Sequence, residues 1–80
     1  GDLEKFQAKK IQKSVEKALK QVHIKDGKLA KKLTKEVITT LKKKYTSVIP
    51  VESIKNTVEF VLVKNKLSKA AKAYILYRYI

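Results

Sequence analysis

The chain reads as a mainly α fold of four helices, with a residual β-hairpin strand at its start. Three observations point there. Apolar residues recur at three- and four-residue spacing in four separate windows, the breaks between windows carry Gly27, Pro50 and Ser68, and only 2 glycines and 1 proline interrupt the 80 residues. Hydrophobic residues make up 44% of the chain, enough to close one modest core, so residues 1–80 are expected to form a single domain.

Residues 1–6 lack helical spacing. Leu3 and Lys5 alternate with Glu4 and Phe6, as in a short strand. A lone strand leaves its backbone groups unpaired, so its hairpin mate is expected upstream and the 80 residues are expected to be a piece of a larger protein.

The first helix is expected over residues 7–22, with Ile11, Val15, Ala18, Leu19 and Val22 on its inner face and Lys9, Lys10, Lys13, Lys17 and Lys20 around the rest. It ends before Lys25-Asp26-Gly27, where the glycine can take a positive φ without steric cost. A second helix follows over residues 29–44, with Ala30, Leu33, Val37 and Leu41 facing inward. Pro50 suits the first turn of a third helix, residues 50–64, because its missing donor would be unpaired there. Val51, Ile54, Val58, Val61 and Leu62 give that helix its apolar face. Residues 65–67 break the pattern, and Ser68 is placed to cap a fourth helix over residues 68–79. The alanines at its start admit a close neighbour, and Tyr74 and Tyr77 suit its packed far end.

Composition bounds the chemistry. Without cysteine there are no disulfides or thiolate metal sites, and His23 alone does not assemble a metal centre. His23 follows the last apolar residue of the first helix, a position that the helix dipole favours for histidine. Neither a carboxylate pair in an apolar setting nor a nucleophile or phosphate-loop motif occurs, so no catalytic residue is expected and the chain is not read as an enzyme. No apolar run is long enough to cross a bilayer and no leader is recognisable, which leads us to expect a cytoplasmic protein without membrane contact.

The charge is the unusual quantity. Twenty basic residues against 7 acidic ones give a formal net charge of +13, which implies a polyanionic partner. Arg78 is the one arginine. Such a lysine surface suits point-charge phosphate contacts better than bidentate base reading, and it also fits generic solvation.

Four sequence features occur in a telling order. They are Gly1, Glu4 and Phe6 in the strand-like start; Lys10-Ile11 near the start of the first helix; Val51-Glu52-Ser53-Ile54 at the start of the third; and AKAYILYR at residues 71–78, extended by Ala70. This order resembles the ATP-cone family, whose pattern is a two-stranded hairpin read as V-x-K-R-D-G-x-x-E-x-F followed by four helices, with a Lys-Ile pair, a V-E-E-I stretch and a similar last helix. The resemblance spans essentially the whole chain. Two departures stand out: the basic first strand of the hairpin has no counterpart before Gly1, and Val51 and Lys55 stand where relatives carry a threonine and an Asp or His.

The resemblance implies an allosteric domain that binds ATP or dATP without hydrolysing it, with magnesium as a companion of the phosphates and with no redox cofactor. It implies attachment to, or partnership with, a ribonucleotide reductase or its transcriptional repressor, and leaves room for self-association. The site residues it implies are Glu4, Lys10 and Ile11, with Lys9 and Lys55 as lesser candidates. Glu4 would accept hydrogen bonds from adenine or ribose, Lys10 would meet a phosphate, and Ile11 would lie against the base. Two other readings stand beside this one: a small basic nucleic-acid-binding domain, ranked second, and a degenerate cone that serves only as an interaction surface.

Overall fold

Helical periodicity dominates the backbone from near its first residue. The computed structural model describes the backbone of residues 2–46 and 48–78 and the side chains of residues 8–46 and 48–76. It contains α1 (Asp2–Gln21), α2 (Gly27–Lys44), α3 (Val51–Lys64) and α4 (Ser68–Arg78), and no strand among the described residues. Connections of a few residues make successive helices neighbours. α4 closes the ring by packing on α1 as well as α3, α1 and α3 touch only lightly across the diagonal, and the described parts of α2 and α4 do not meet. The radius of gyration is 11.8 Å, close to the roughly 12 Å expected for a compact chain of this length.

The core is the one the apolar spacing implies, except that Val51 is 65% exposed and Val22 and Ile54 are only partly buried. Ile11, Val15, Ala18 and Leu19 of α1 meet Ala30, Leu33, Val37 and Leu41 of α2, Val58, Val61 and Leu62 of α3, and Ala70, Ala71 and Tyr74 of α4. Each fully buried leucine or valine contributes about 1.5–3 kcal/mol by leaving water. The buried Thr34 hydroxyl donates to the Ala30 carbonyl at 2.7 Å, so it adds no unpaired polar group to this interior.

Four local expectations need correction. The strand expected over residues 1–6 is helix from Asp2 onward; continuing α1 lets the carbonyls of this segment accept from amides four residues on, which a lone strand cannot do. Gly1 itself, and the side chains of Glu4 and Phe6, lie outside the described residues. Second, the reversal after α1 uses His23 at φ 62° and not Gly27, which has no positive φ. The His23 amide donates to the Lys20 carbonyl at 3.0 Å and the Ile24 amide to the Leu19 carbonyl at 2.9 Å. This is the Schellman termination, which satisfies the last carbonyls and folds Ile24 back onto the core. Gly27 instead opens α2, whose first turn is capped by Asp26 Oδ1 accepting from the Leu29 amide at 3.0 Å.

Third, Ser68 does not cap α4. The Ala71 amide donates to the Leu67 carbonyl at 2.9 Å, which gives Leu67 the capping position and puts Ser68 inside the helix. The cause is again a Schellman end, here on α3: Lys66 at φ 63° donates to the Val63 carbonyl and Leu67 to that of Leu62, leaving no spare residue between the helices. Fourth, Pro50 is the N-cap of α3 and not its first helical residue.

One polar cluster ties α2 to the end of α3. Asn65 Nδ2 donates to Glu36 Oε1 at 3.1 Å and to the Val61 carbonyl at 2.7 Å, while Lys64 Nζ lies 3.1 Å from Glu36 Oε2. The Asn65 hydrogen bond, followed by that from Lys64, holds the Glu36 carboxyl below its ordinary value of 4.5.

Two predictions follow from these features. A left-handed conformation costs a side-chain-bearing residue about 1–2 kcal/mol, partly offset by the greater unfolded-state freedom of glycine. His23→Gly or Lys66→Gly should therefore raise the urea midpoint by about 0.5–1 kcal/mol equivalent at unchanged m-value; a lowered midpoint would contradict this account. For Glu36, a depressed folded pKa gives stability that is fully present above pH 4.5 and is lost as pH falls through the folded value. Glu36→Gln should cost about 1 kcal/mol near neutrality and flatten the acid limb of the stability profile. An acid limb of unchanged slope would rule that out.

Candidate functional site

The middle of α1, the first half of α3 and the middle of α4 come together at one place on the bundle. Where α1 and α3 stand apart across the diagonal they leave a cleft of about 220 Å³, lined by Lys10, Ile11 and Ser14 of α1, by Val51, Ile54, Lys55 and Val58 of α3, and by Tyr74 of α4. Ile11, Val58 and Tyr74 are buried and form its floor; Ser14, Ile54 and Lys55 are half-buried; Lys10 and Val51 are exposed at its rim.

Chain positions explain this layering. Ile11 and Val58 belong to the inward stripes of their helices. Lys10 is the neighbour of Ile11, about 100° further round α1, and Lys55 lies three residues before Val58 on the shoulder of α3. Each helix thus contributes an apolar floor residue and a lysine at its edge. The first turn of α3 is steadied from behind, where the Tyr45 hydroxyl and Ser53 Oγ share a 2.6 Å hydrogen bond that fastens the incoming connection to the helix.

Three of the five candidate residues, Lys10, Ile11 and Lys55, come together here. Lys9 is exposed and does not line the cleft, and the Glu4 side chain lies outside the described residues. Lys10, expected near the start of the first helix, lies well inside it. Because α1 begins at Asp2, the Lys10 amide is in the helix interior with its own carbonyl partner, and only the side-chain charge remains to draw an anion. Ser14 and Tyr74 were not foreseen in this role: serine on a lysine-rich helix carries no sequence signal, and Tyr74 reads as packing, which it also is.

Among the described residues the lining holds two ammonium groups, two hydroxyls and an apolar floor, and no Asp, Glu or His. These groups can attract an anion and cover a flat apolar ring. At 220 Å³ the cleft is below the roughly 300–1,000 Å³ usual for small-molecule sites, so it encloses part of a nucleotide-sized ligand and leaves the rest at the rim.

The ATP cone domain family profile matches residues 1–80. The chain belongs to the ATP-cone family. The helical resemblance and this match agree over the whole chain, and the family's role is nucleotide-binding and regulatory, not catalytic. No solved structure matches the chain significantly. The cone's four helices contain none long and apolar enough to cross a membrane, and among the described residues no three His, Asp or Glu side chains cluster to hold a metal.

Because Ile11 is 3% exposed, the cone cannot spare its side chain. Ile11→Ala should destabilise by about 2–5 kcal/mol, whereas Lys55→Ala should stay within about 0.5 kcal/mol of wild type. Thermal melts of the two variants check this; equal melting temperatures would show that Ile11 does not bear on the core.

Proposed function

We propose that this cone senses ATP or dATP at the cleft between α1 and α3 and passes its occupancy to a ribonucleotide reductase or related protein of which it is one module. The observation that carries the reading is the pair Lys10 and Lys55, brought from separate helices to one cleft with an apolar floor. In this reading the two ammonium groups meet the phosphates as mobile point charges, while the base lies on Ile11, Val58 and the ring of Tyr74. Ser14, half-buried beside Lys10, supplies a hydroxyl for a ribose or base contact.

Val51 and Lys55 set this cone apart from the pattern with a threonine and an Asp or His. A hydrogen-bonding group is exchanged for an apolar one and a neutral or acidic group for a cation, which shifts the balance of the site from base reading toward phosphate charge. Magnesium brought by the effector would be held chiefly by phosphate oxygens and water. Regulation then requires that the nucleotide bind two conformations or assemblies of the parent protein with different affinity.

Calorimetry with ATP and dATP tests the reading on the 80-residue chain. Saturable binding is expected, with Lys10→Ala and Lys55→Ala each raising Kd about tenfold or more, as loss of a charge-assisted contact of about 1.5–3 kcal/mol requires. Absence of saturable binding at high micromolar protein would remove the sensing function, and an unchanged Kd in either variant would remove that lysine from the site.

A further inference from the structure

Eight of the 20 basic residues lie on a face that the nucleotide cleft does not use. Lys28, Lys31 and Lys35 follow one another along α2 at three- and four-residue intervals with Lys32 beside them, all exposed, and Lys42 and Lys43 continue the row toward its end. On the helical wheel they lie opposite the buried Ala30, Leu33, Val37 and Leu41. The single acidic residue of α2, Glu36, is engaged by Asn65 and Lys64 of the α3 end. The outward face of neighbouring α1 adds Lys13 and Lys20.

Stability does not account for this row. Like charges three and four residues apart weaken a helix by about 0.2–0.5 kcal/mol a pair, and Lys28 and Lys31 stand at the end of α2 where the dipole disfavours cations. A surface tuned for ion-pair networks would interleave glutamates, and 7 acidic residues cannot serve 20 basic ones. The helix end is not the attraction, because Asp26 already caps it; the face is.

We infer that the lysine face of α2, flanked by α1, docks on the phosphate backbone of double-stranded nucleic acid without reading its sequence. Lys28 to Lys43 spans about 22 Å at 1.5 Å per residue, comparable with about six base-pair steps of duplex. Lysines give positional phosphate contacts, and with no arginine on this face bidentate base reading is not on offer. An anionic membrane is the poorer match, since interfacial helices also need an apolar wedge and, among the described residues, the exposed large hydrophobic ones, Val48, Val51, Phe60, Val63 and Leu76, all lie outside α1 and α2. Single strands are poorer too, because no aromatic side chain stands among the described residues of this face to stack on bases.

Fluorescence anisotropy of the 80-residue chain with labelled random-sequence duplex tests the inference. Binding should weaken between about 50 and 200 mM salt with a log-log slope near −4, as about four neutralised phosphates give. Lys28→Gln, Lys31→Gln and Lys35→Gln combined should lower affinity about tenfold or more and reduce the slope by about 2–3. The control combines Lys66→Gln, Lys69→Gln and Lys72→Gln, exposed lysines outside α1 and α2, and removes the same charge; it should lose less than about threefold. Equal losses would reduce the effect to net charge, and absence of duplex binding at low salt, or tighter binding to phosphatidylserine vesicles, would overturn the inference. ATP calorimetry on the α2 triple variant keeps the two sites apart, because Lys10 and Lys55 are untouched in it.

Discussion

The cleft of this cone depends on how α4 seats against α1 and α3. Ala70 and Ala71 are almost completely buried, and their small side chains allow the helix to come close enough to close the ring. One turn later Tyr74 is also buried, but its ring occupies space that the alanines leave to backbone. The small-then-large order along a single helix thus gives a close contact at the alanines and a floor under the cleft. Without α4 the core residues Val15, Val58 and Val61 would lose a wall, and the cleft would have no base on which an apolar ring could rest.

That dependence also explains why the last helix is the most recognisable part of the sequence while contributing little charge to the site. AKAYILYR specifies a packing edge. The charges come from α1 and α3, where lysine neighbours or nearly neighbours a core residue, and a lysine in such a chain is uninformative because so many others surround it. Lys10 and Lys55 were singled out only through the family resemblance, and the fold brings both to one cleft. Lys9 carried the same residue type and fell about 100° away on the helix, outside the cleft.

The core and the number of helices were legible from apolar spacing alone, since every residue assigned to the inner face of α2 is buried. The turns were not. Glycine and serine are statistical markers of helix ends, whereas here the chain uses His23 and Lys66 in left-handed conformations and gives the capping duty to the Leu67 carbonyl. Tertiary packing decides this: Ile24 and Leu67 each fold back onto the core immediately after the left-handed residue, and the gain from covering them outweighs a conformational cost of about 1–2 kcal/mol. The start of α1 escaped for a related reason. Alternation over a few residues satisfies strand and helix templates alike, and only the presence or absence of a pairing partner separates them.

The distribution of charge divides the lysines into two populations with different physics. Those at the cleft sit beside buried apolar groups, where water is partly displaced and a phosphate contact is worth more than in bulk solvent. Those along α2 are fully in solvent, where each contact is weak and only a row of them, acting through release of condensed counterions, makes appreciable affinity. The first arrangement suits a small ligand of defined shape, and the second suits a long polyanion whose shape is periodic. Because the two groups lie on different elements of one rigid core, a nucleotide at the cleft need not compete with a polymer on α2. Any influence of one on the other would have to pass through the packing of α1, which contributes Lys10 to the cleft and Lys13 and Lys20 to the flank of the lysine face.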